Sequence, residues 1–123
     1  MNDPVKIIVF SIDIVFTEIL ERILENILSD FDYNILSSFS EAKNTSTNDP
    51  VKLIFVDDVI IGTSSYELIS YIRLNLKLIC PIVFFGASEH RGEYKAIQSG
   101  AKYFITKPFN PDELAKIIKD ILR

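Results

Sequence analysis

The chain has 123 residues, 48% of them hydrophobic and 24% charged, which is enough for one domain over residues 1–123 and too little for two. Its net charge is −4 and no segment concentrates lysine and arginine, which argues against direct binding of nucleic acid. No apolar run approaches the roughly 20 residues of a membrane span and the first residues show no apolar leader, so we expect a cytoplasmic protein without a membrane anchor.

Five short apolar runs, each rich in β-branched or aromatic residues, predict five buried strands. The clearest is LIFVD at Leu53–Asp57, because four apolar residues run directly into a carboxylate. An acidic group is costly beside a buried strand unless it lies at the strand's end. The predicted strands cover residues 6–10, 33–36, 53–57, 81–85 and 102–105.

Helical periodicity separates most of these strands. After the first strand, apolar residues recur at intervals of three and four up to Leu28, and Asp13 is the expected N-cap of this helix. The polar stretch Ser40–Asp49 is poor in helix formers, so the second helix is expected to be short or irregular. Start signals predict the remaining helices from Ser64 or Ser65 to about Leu76, from Ser88 to about Ser99 with Gly100 as the stop, and from Asn110-Pro111 onward.

The single cysteine and the single histidine offer no cluster for a disulfide or a metal. Cys80 lies between Ile79 and Pro81 and has no second thiol, so we expect it to be buried and inert. His90 stands in a polar stretch without a second histidine or cysteine partner, and we expect it on the exposed side of a helix.

Alternation of strands and helices predicts a parallel sheet with helices on both faces. The loops after strands one, three, four and five then meet at one edge, where ligands of such sheets bind. These loops carry Ser11–Asp13, Asp57-Asp58, Gly86–Ser88 and Lys107-Pro108. Asp57 and Lys107 could therefore meet at this edge. The pairing has a chemical use, because a carboxylate can attack a phosphoryl group while an ammonium neutralises the transferred oxygens.

At these residues the chain resembles the receiver domains of bacterial two-component response regulators, over nearly its whole length. The resemblance implies a flavodoxin-like three-layer α/β fold with a five-stranded parallel sheet of order 2-1-3-4-5. The matching segments are KIIVF at 6–10, LIFVD at 53–57, Gly62, PIVFFGAS at 81–88, SGAKYFITKPF at 99–109 and PDEL at 111–114.

The resemblance also implies roles for individual residues. Asp57 matches the aspartate that a histidine kinase or phosphotransfer protein phosphorylates. Lys107 matches the lysine that contacts the phosphoryl group, before a proline whose preceding peptide bond is often cis. A downstream partner would bind through the fourth helix, fifth strand and fifth helix, and a homodimer is a further expectation. Phe104 matches the aromatic residue that changes rotamer on activation.

Several positions depart from the family pattern, among them Ile60-Ile61 in the loop after Asp57. The two acidic residues that follow the first strand and hold Mg²⁺ are replaced by Ser11 and Ile12, and isoleucine cannot coordinate a hard cation. Asp57 and Asp13 are then the candidate metal ligands, with Asp13 reaching the ion only through a rearranged loop. Gly86 stands where the family has a threonine or serine hydroxyl. We therefore expect an atypical receiver domain in which Asp57 is phosphorylated weakly or not at all.

Two other hypotheses stay open. The chain could be an interaction module that keeps the fold without the switch, with Asp57 and Lys107 as a structural ion pair, Asp58 facing solvent or capping a turn, and Phe104 packed. It could also be an enzyme of another α/β class, such as an aspartyl phosphatase. Asp57 is followed by Asp58-Val59 rather than by a second acid two residues on, so we expect that the chain is not an enzyme.

Overall fold

The computed structural model describes residues 4–44, 50–87 and 90–123, with side chains at all of these except His90 and Arg91. The predicted helix start at Ser88, the side chain of His90 and the polar stretch 45–49 lie outside the described residues. Strands and helices alternate in the order β1 (Val5–Phe10), α1 (Ile14–Ile27), β2 (Phe31–Leu36), α2 (Phe39–Lys43), β3 (Leu53–Asp57), α3 (Ser65–Leu74), β4 (Ile82–Gly86), α4 (His90–Ser99), β5 (Tyr103–Thr106) and α5 (Pro111–Leu122).

The five strands form one parallel sheet in the order β2-β1-β3-β4-β5. Ile54 of β3 lies beside Ile8 of β1 and Ile82 of β4, and Phe84 of β4 lies beside Phe104 of β5. The predicted flavodoxin-like architecture is therefore confirmed. In this order the carboxyl ends of β1, β3, β4 and β5 share one edge of the sheet.

Successive side chains of the central strands enter two separate apolar layers, because side chains alternate across a sheet. Phe55 of β3 packs toward α1 and α5, with Leu24 and Ile118, in what we call the α1/α5 layer. Its neighbour Ile54 packs toward α2, α3 and α4, with Leu68, in the α3/α4 layer. β3 is buried at all five positions, which explains its continuous apolar sequence.

Several boundaries and burial predictions are corrected by the structure. β2 begins two residues earlier than predicted, because Phe31 pairs with Val5 of β1. Ile19 belongs to the apolar pattern of α1 but is 41% exposed, because the buried stripe is narrower than that pattern and is centred on Leu20. Cys80 is half-buried rather than buried, and burial raises the pKa of its thiol. The short second helix is confirmed as α2, five residues capped by Ser38.

Arg73 joins three segments at the end of α3. Its guanidinium Nε and one Nη donate to the carbonyl of Gly100, at 3.0 and 2.8 Å. The other Nη donates to the carbonyls of Leu78 and Cys80, at 2.9 and 2.7 Å. Gly100 has φ +127°, and a Cβ there would lie 2.7 Å from Arg73 Cγ, so glycine is needed for both backbone and space. We call this group the Arg73 clamp.

Within the part of the chain that the structure describes, no helix has the length and apolar character required to cross a membrane.

Candidate functional site

Asp57 is the last residue of β3 and is only 1% exposed. Its main-chain oxygen accepts a hydrogen bond from Ser65 Oγ at 2.6 Å, which ties the strand end to the start of α3. Its carboxylate Oδ1 accepts from the Asp58 main-chain N–H at 2.9 Å. The carboxylate therefore has a fixed orientation at the edge where the strands end.

The structure brings Lys107 to Asp57, as the sequence predicts. Lys107 follows β5, its main-chain N–H donates to the Gly86 carbonyl at 2.8 Å, and its peptide bond to Pro108 is cis. Its Nζ lies 2.5 Å from Asp57 Oδ1 and 5.7 Å from the ring centroid of Phe16. The ammonium of Lys107, which follows β5, is thus held against the buried carboxylate at the end of β3.

Asp58 shares the same ammonium. Its Oδ1 lies 2.9 Å from Lys107 Nζ, and its side chain is 31% exposed. Asp58 thus partly faces solvent, as expected, but it also forms an ion pair that was not predicted, because the lysine contacts both neighbouring carboxylates. Two acidic groups compete for one cation in this pocket.

Ser11 was predicted to lie at this edge of the sheet, but no role was predicted for it beyond its replacing an acid. It is buried, and its Oγ donates to Asp57 Oδ2 at 2.8 Å and accepts from the Asp13 main-chain N–H at 3.0 Å. The signal was its place directly after β1, beside the end of β3. Ser11 thereby partners the carboxylate oxygen that Lys107 does not bind.

The side chains around Asp57 leave few free oxygen donors for a Mg²⁺ ion, which prefers near-octahedral oxygen ligands. Ile12 contributes an exposed apolar side chain, and Asp13 Oδ1 accepts from Phe16 N–H at 3.1 Å as the N-cap of α1. Asp57 and Asp58 are both bound to Lys107. Among the described residues, no group of three or more acidic, histidine or cysteine side chains could hold a metal.

Burial and ion pairing act in opposite directions on the pKa values of this pocket. Burial raises the pKa of Asp57, and the hydrogen bonds from Lys107 and Ser11 offset this only in part. Burial lowers the pKa of Lys107, but the hydrogen bonds to Asp57 and Asp58 outweigh it and leave that pKa raised. The lysine is therefore firmly charged, while the ionised form of Asp57 is the costly partner.

Gly86 and Phe104, the two expected switch residues, are in contact range of each other. A Cβ built on Gly86 would lie 2.7 Å from Phe84 Cε1 and 3.2 Å from Phe104 Cε2. The rings of Phe84 and Phe104 are stacked at 5.6 Å and 25°, and Tyr66 stacks on Phe84 at 5.4 Å and 28°. We call these three rings the aromatic stack, and it fills the space that a side chain at position 86 would need.

Large apolar side chains are exposed in the two segments that flank the pocket. One segment follows β1 and begins α1, and the other joins β3 to α3. We call them the apolar rim, and such a concentration is typical of a surface that contacts another molecule. The rim comprises Ile12, Ile14, Val15, Val59 and Ile61, which are 45 to 72% exposed.

Curated relatives of this chain are response regulators. It is 24% identical over 124 residues to response regulator Rre1 of Synechocystis sp., covering 99% of this chain and 53% of that protein. It is 34% identical over 91 residues to the phosphate regulon transcriptional regulatory protein PhoB of Pseudomonas aeruginosa, covering 68% of this chain and 40% of that protein. The chain thus spans about half the length, or less, of these relatives.

Solved structures share the fold along the whole chain. A two-component response regulator from Clostridium difficile superposes with a TM-score of 0.84 at 25% identity, covering 97% of this chain and 96% of that one. Chemotaxis response regulator CheY4 of Vibrio cholerae superposes with a TM-score of 0.81 at 18% identity, covering 98% and 100%. The sequence model of the response regulator receiver domain matches residues 7–119, so the chain belongs to the receiver domain family of two-component signalling.

Proposed function

We propose that this chain is an atypical receiver domain of a two-component phosphorelay, in which Asp57 accepts a phosphoryl group weakly or not at all and the domain acts through protein–protein contacts. The observation that carries this proposal is the ammonium of Lys107 held between Asp57 and Asp58. Ser11 and Ile12 occupy the positions at which the family provides further carboxylates for Mg²⁺.

Charge neutralisation is the main requirement of phosphoryl transfer, and metal ions usually supply most of it. Within hydrogen-bonding distance of Asp57, the described residues provide one cation, and Asp58 shares it. A phosphoryl group would add negative charge to a pocket that already has two carboxylates for one ammonium. Lys107 would still orient it, but the transition state would be poorly neutralised.

The apolar rim supports a contact with a phosphodonor protein. Ile12 and Ile14 follow β1 and Val59 follows β3, and all three expose apolar surface after strands that end at the edge carrying Asp57. A histidine kinase or a phosphotransfer protein with an apolar docking face would cover this surface. Its binding does not require turnover at Asp57.

A second surface supports a contact with a downstream partner or with another copy of the chain. On α4, Tyr94 is 65% exposed and Ile97 is 45% exposed. Between β5 and α5 lies a groove of about 310 Å³ whose lining includes Phe104, Pro108 and Ile117. We propose that the output partner, or a homodimer, uses this face of α4, β5 and α5.

Incubation with Mg²⁺ and acetyl phosphate or phosphoramidate tests the proposal directly. We expect intact-mass measurement to show little or no phosphoryl adduct under conditions that modify a receiver domain with a complete acidic pair, run in parallel. Asp57→Asn is the control for the site of any adduct. Complete conversion that Asp57→Asn abolishes would overturn weak phosphorylation, whereas no adduct and no response to beryllofluoride would favour the interaction module.

Restoring an acid after β1 provides a test by gain of function. We expect Ile12→Asp to create Mg²⁺ binding and to increase the adduct yield, because it adds an oxygen donor where the family has one. Ile14→Asp adds the same charge at a side chain that is 72% exposed and serves as the matched control. Calorimetric titration with Mg²⁺ measures the change. Equal Mg²⁺ binding and adduct yield in both variants would show that the missing acid at position 12 does not limit phosphorylation of Asp57.

An enzymatic role is the remaining alternative, and turnover of a phosphomonoester would favour it. A phosphatase that uses Asp57 as nucleophile needs a general acid, and the nearest carboxylate, Asp58, is paired with Lys107. We therefore expect no release of phosphate from p-nitrophenyl phosphate above that seen with Asp57→Asn.

A further inference from the structure

The aromatic stack begins on the sheet, where its geometry follows from strand pairing. Phe84 and Gly86 are two residues apart on β4 and face the same side of the sheet. Phe84 lies beside Phe104 in the register of β4 and β5, so their rings meet over that side. Tyr66 of α3 extends the stack on the other side of Phe84. Three elements thus contribute one ring each.

The stack takes the volume that a side chain at position 86 would occupy. A Cβ on Gly86 would lie 2.7 Å from Phe84 Cε1, and 3.2 and 3.3 Å from Phe104 Cε2 and Cζ. Carbon atoms in contact normally lie about 3.5 to 4.0 Å apart. The positive-φ glycines of the described chain are Gly62 and Gly100, so Gly86 is not required by its backbone conformation. What position 86 requires is the absence of a side chain.

The first turn of α4 closes the stack from outside. A Cβ on Gly92 would lie 3.5 Å from the Tyr66 hydroxyl oxygen and 3.9 Å from Phe104 Cε2, which are ordinary contact distances. Lys95 Nζ lies 5.8 Å from the ring centroid of Tyr66. The ring of Phe104 is therefore packed against Phe84, Gly86 and Gly92, while Phe104 also lines the groove between β5 and α5.

We propose that the aromatic stack locks Phe104 in one packed orientation, whatever the chemical state of Asp57. This inference rests on the proposed function, because it explains how α4 and β5 can present a constant surface to a partner. A hydroxyl at position 86 could move toward a phosphoryl group and free space for the aromatic ring. Gly86 has no group to move, and the space beside it is already filled by Phe84.

Identical substitutions at two glycines that lie near the same atoms of Phe104, Cε2 and Cζ, test the packing. Gly86→Ala places its methyl group against Phe84, and we expect the melting temperature to fall by roughly 5 to 10 °C, as overpacking of a core does. Gly92→Ala adds the same methyl group at ordinary contact distance within a helix, and we expect an unchanged or higher melting temperature. Gly86→Ala should lower the melting temperature by less when Phe84→Leu is also present. Equal stability of wild type and Gly86→Ala would overturn the lock.

The orientation of Phe104 itself is measured by NMR, through nuclear Overhauser contacts between its ring and that of Phe84. We expect these contacts in wild type, in Asp57→Asn, and in wild type with Mg²⁺ and beryllofluoride. Their weakening in Gly86→Ala shows that the measurement responds to a displaced ring. Loss of the contacts in Asp57→Asn or with beryllofluoride would overturn the lock.

The two proposals fail in different measurements. A stoichiometric phosphoryl adduct on Asp57 would overturn weak phosphorylation, and the lock would stand if the contacts between Phe104 and Phe84 persisted in the modified chain. Without an adduct, Asp57→Asn still changes the pocket and still tests the lock.

Discussion

Asp57 is a carboxylate that folding removes from water and places beside an ammonium that is already shared. Burial raises its pKa above the ordinary value, and the bonds from Lys107 and Ser11 offset only part of that effect. The folded chain therefore binds this proton more tightly than the unfolded chain does. Stability from this group is present at pH values below the unfolded pKa and is lost as pH rises through the raised folded pKa.

Asp57→Asn is expected to raise the melting temperature by a few degrees at pH 7, because the amide fills the site without a buried charge. The gain should shrink as pH falls through the range between the unfolded and the folded pKa of Asp57. Thermal unfolding followed by circular dichroism from pH 4 to 8 measures it, with the exposed Asp32→Asn as control. A lower melting temperature at pH 7 would mean that the pair with Lys107 outweighs burial.

The sequence predicted the central pair of the site but not its full set of contacts. Asp57 and Lys107 follow strands whose ends must meet in a parallel sheet, so their proximity follows from topology. The hydrogen bond of Ser11 to Asp57 was not predicted, because a serine after a strand has no distinctive pattern and the direction of its buried side chain is known only from the structure. The pairing of Asp58 depends on the path of one flexible lysine side chain, which no sequence pattern encodes.

At the scale of elements, the Arg73 clamp joins the end of α3 to the loop before β4 and to the turn before β5. One guanidinium donates four hydrogen bonds to three carbonyl groups that would otherwise lack these donors. The planar fork of arginine supplies this geometry, and lysine cannot reproduce it. The clamp therefore fixes α3 relative to the strand that carries Phe104.

Arg73→Lys is expected to lower the free energy of unfolding by about 2 kcal/mol, because charged hydrogen bonds to partly buried carbonyls are lost. Arg22→Lys on the exposed side of α1 is the matched control and should change it by less than about 0.5 kcal/mol. Urea unfolding at fixed temperature measures both. If Arg73→Lys lowered the free energy of unfolding no more than Arg22→Lys does, the hydrogen bonds of the Arg73 clamp would not contribute to stability beyond what water supplies to the same carbonyls.

Element boundaries were predicted correctly where the sequence contains a capping residue. They were predicted incorrectly where pairing with a neighbouring strand sets the boundary. Asn110 and Asp13 cap α5 and α1 as expected, since each side chain accepts from the first turn of its helix. β2 extends to Phe31 because β1 continues beside it, although Phe31 and Asp32 alone give no clear strand pattern. Ile19 is exposed because it lies beside the buried stripe of α1, and the width of that stripe is not fixed by periodicity alone.

At the scale of the whole molecule, one sheet separates two apolar layers that share its strands. The topology was predictable because alternating strands and helices admit few arrangements and the family resemblance selected one of them. The layers should unfold together, since adjacent residues of β3 belong to different layers.

Leu24→Ala in the α1/α5 layer and Leu68→Ala in the α3/α4 layer should each lower the free energy of unfolding by about 2 to 5 kcal/mol. Both side chains are fully buried, whereas Leu74 is 74% exposed, so Leu74→Ala is the control with little effect. Tyrosine fluorescence and circular dichroism should give one coincident urea transition in every variant. Separate transitions in either variant would show that the layers are independent.

The aromatic stack also makes the cost of a side chain at position 86 depend on the residue at position 84. A serine or threonine introduced beside Phe84 would bring its Cβ to 2.7 Å from Phe84 Cε1, so we expect it to lower stability. The same substitution in a chain with a smaller residue 84 is expected to cost less. The two positions are therefore energetically coupled, and a hydroxyl at position 86 has to be judged together with the size of residue 84.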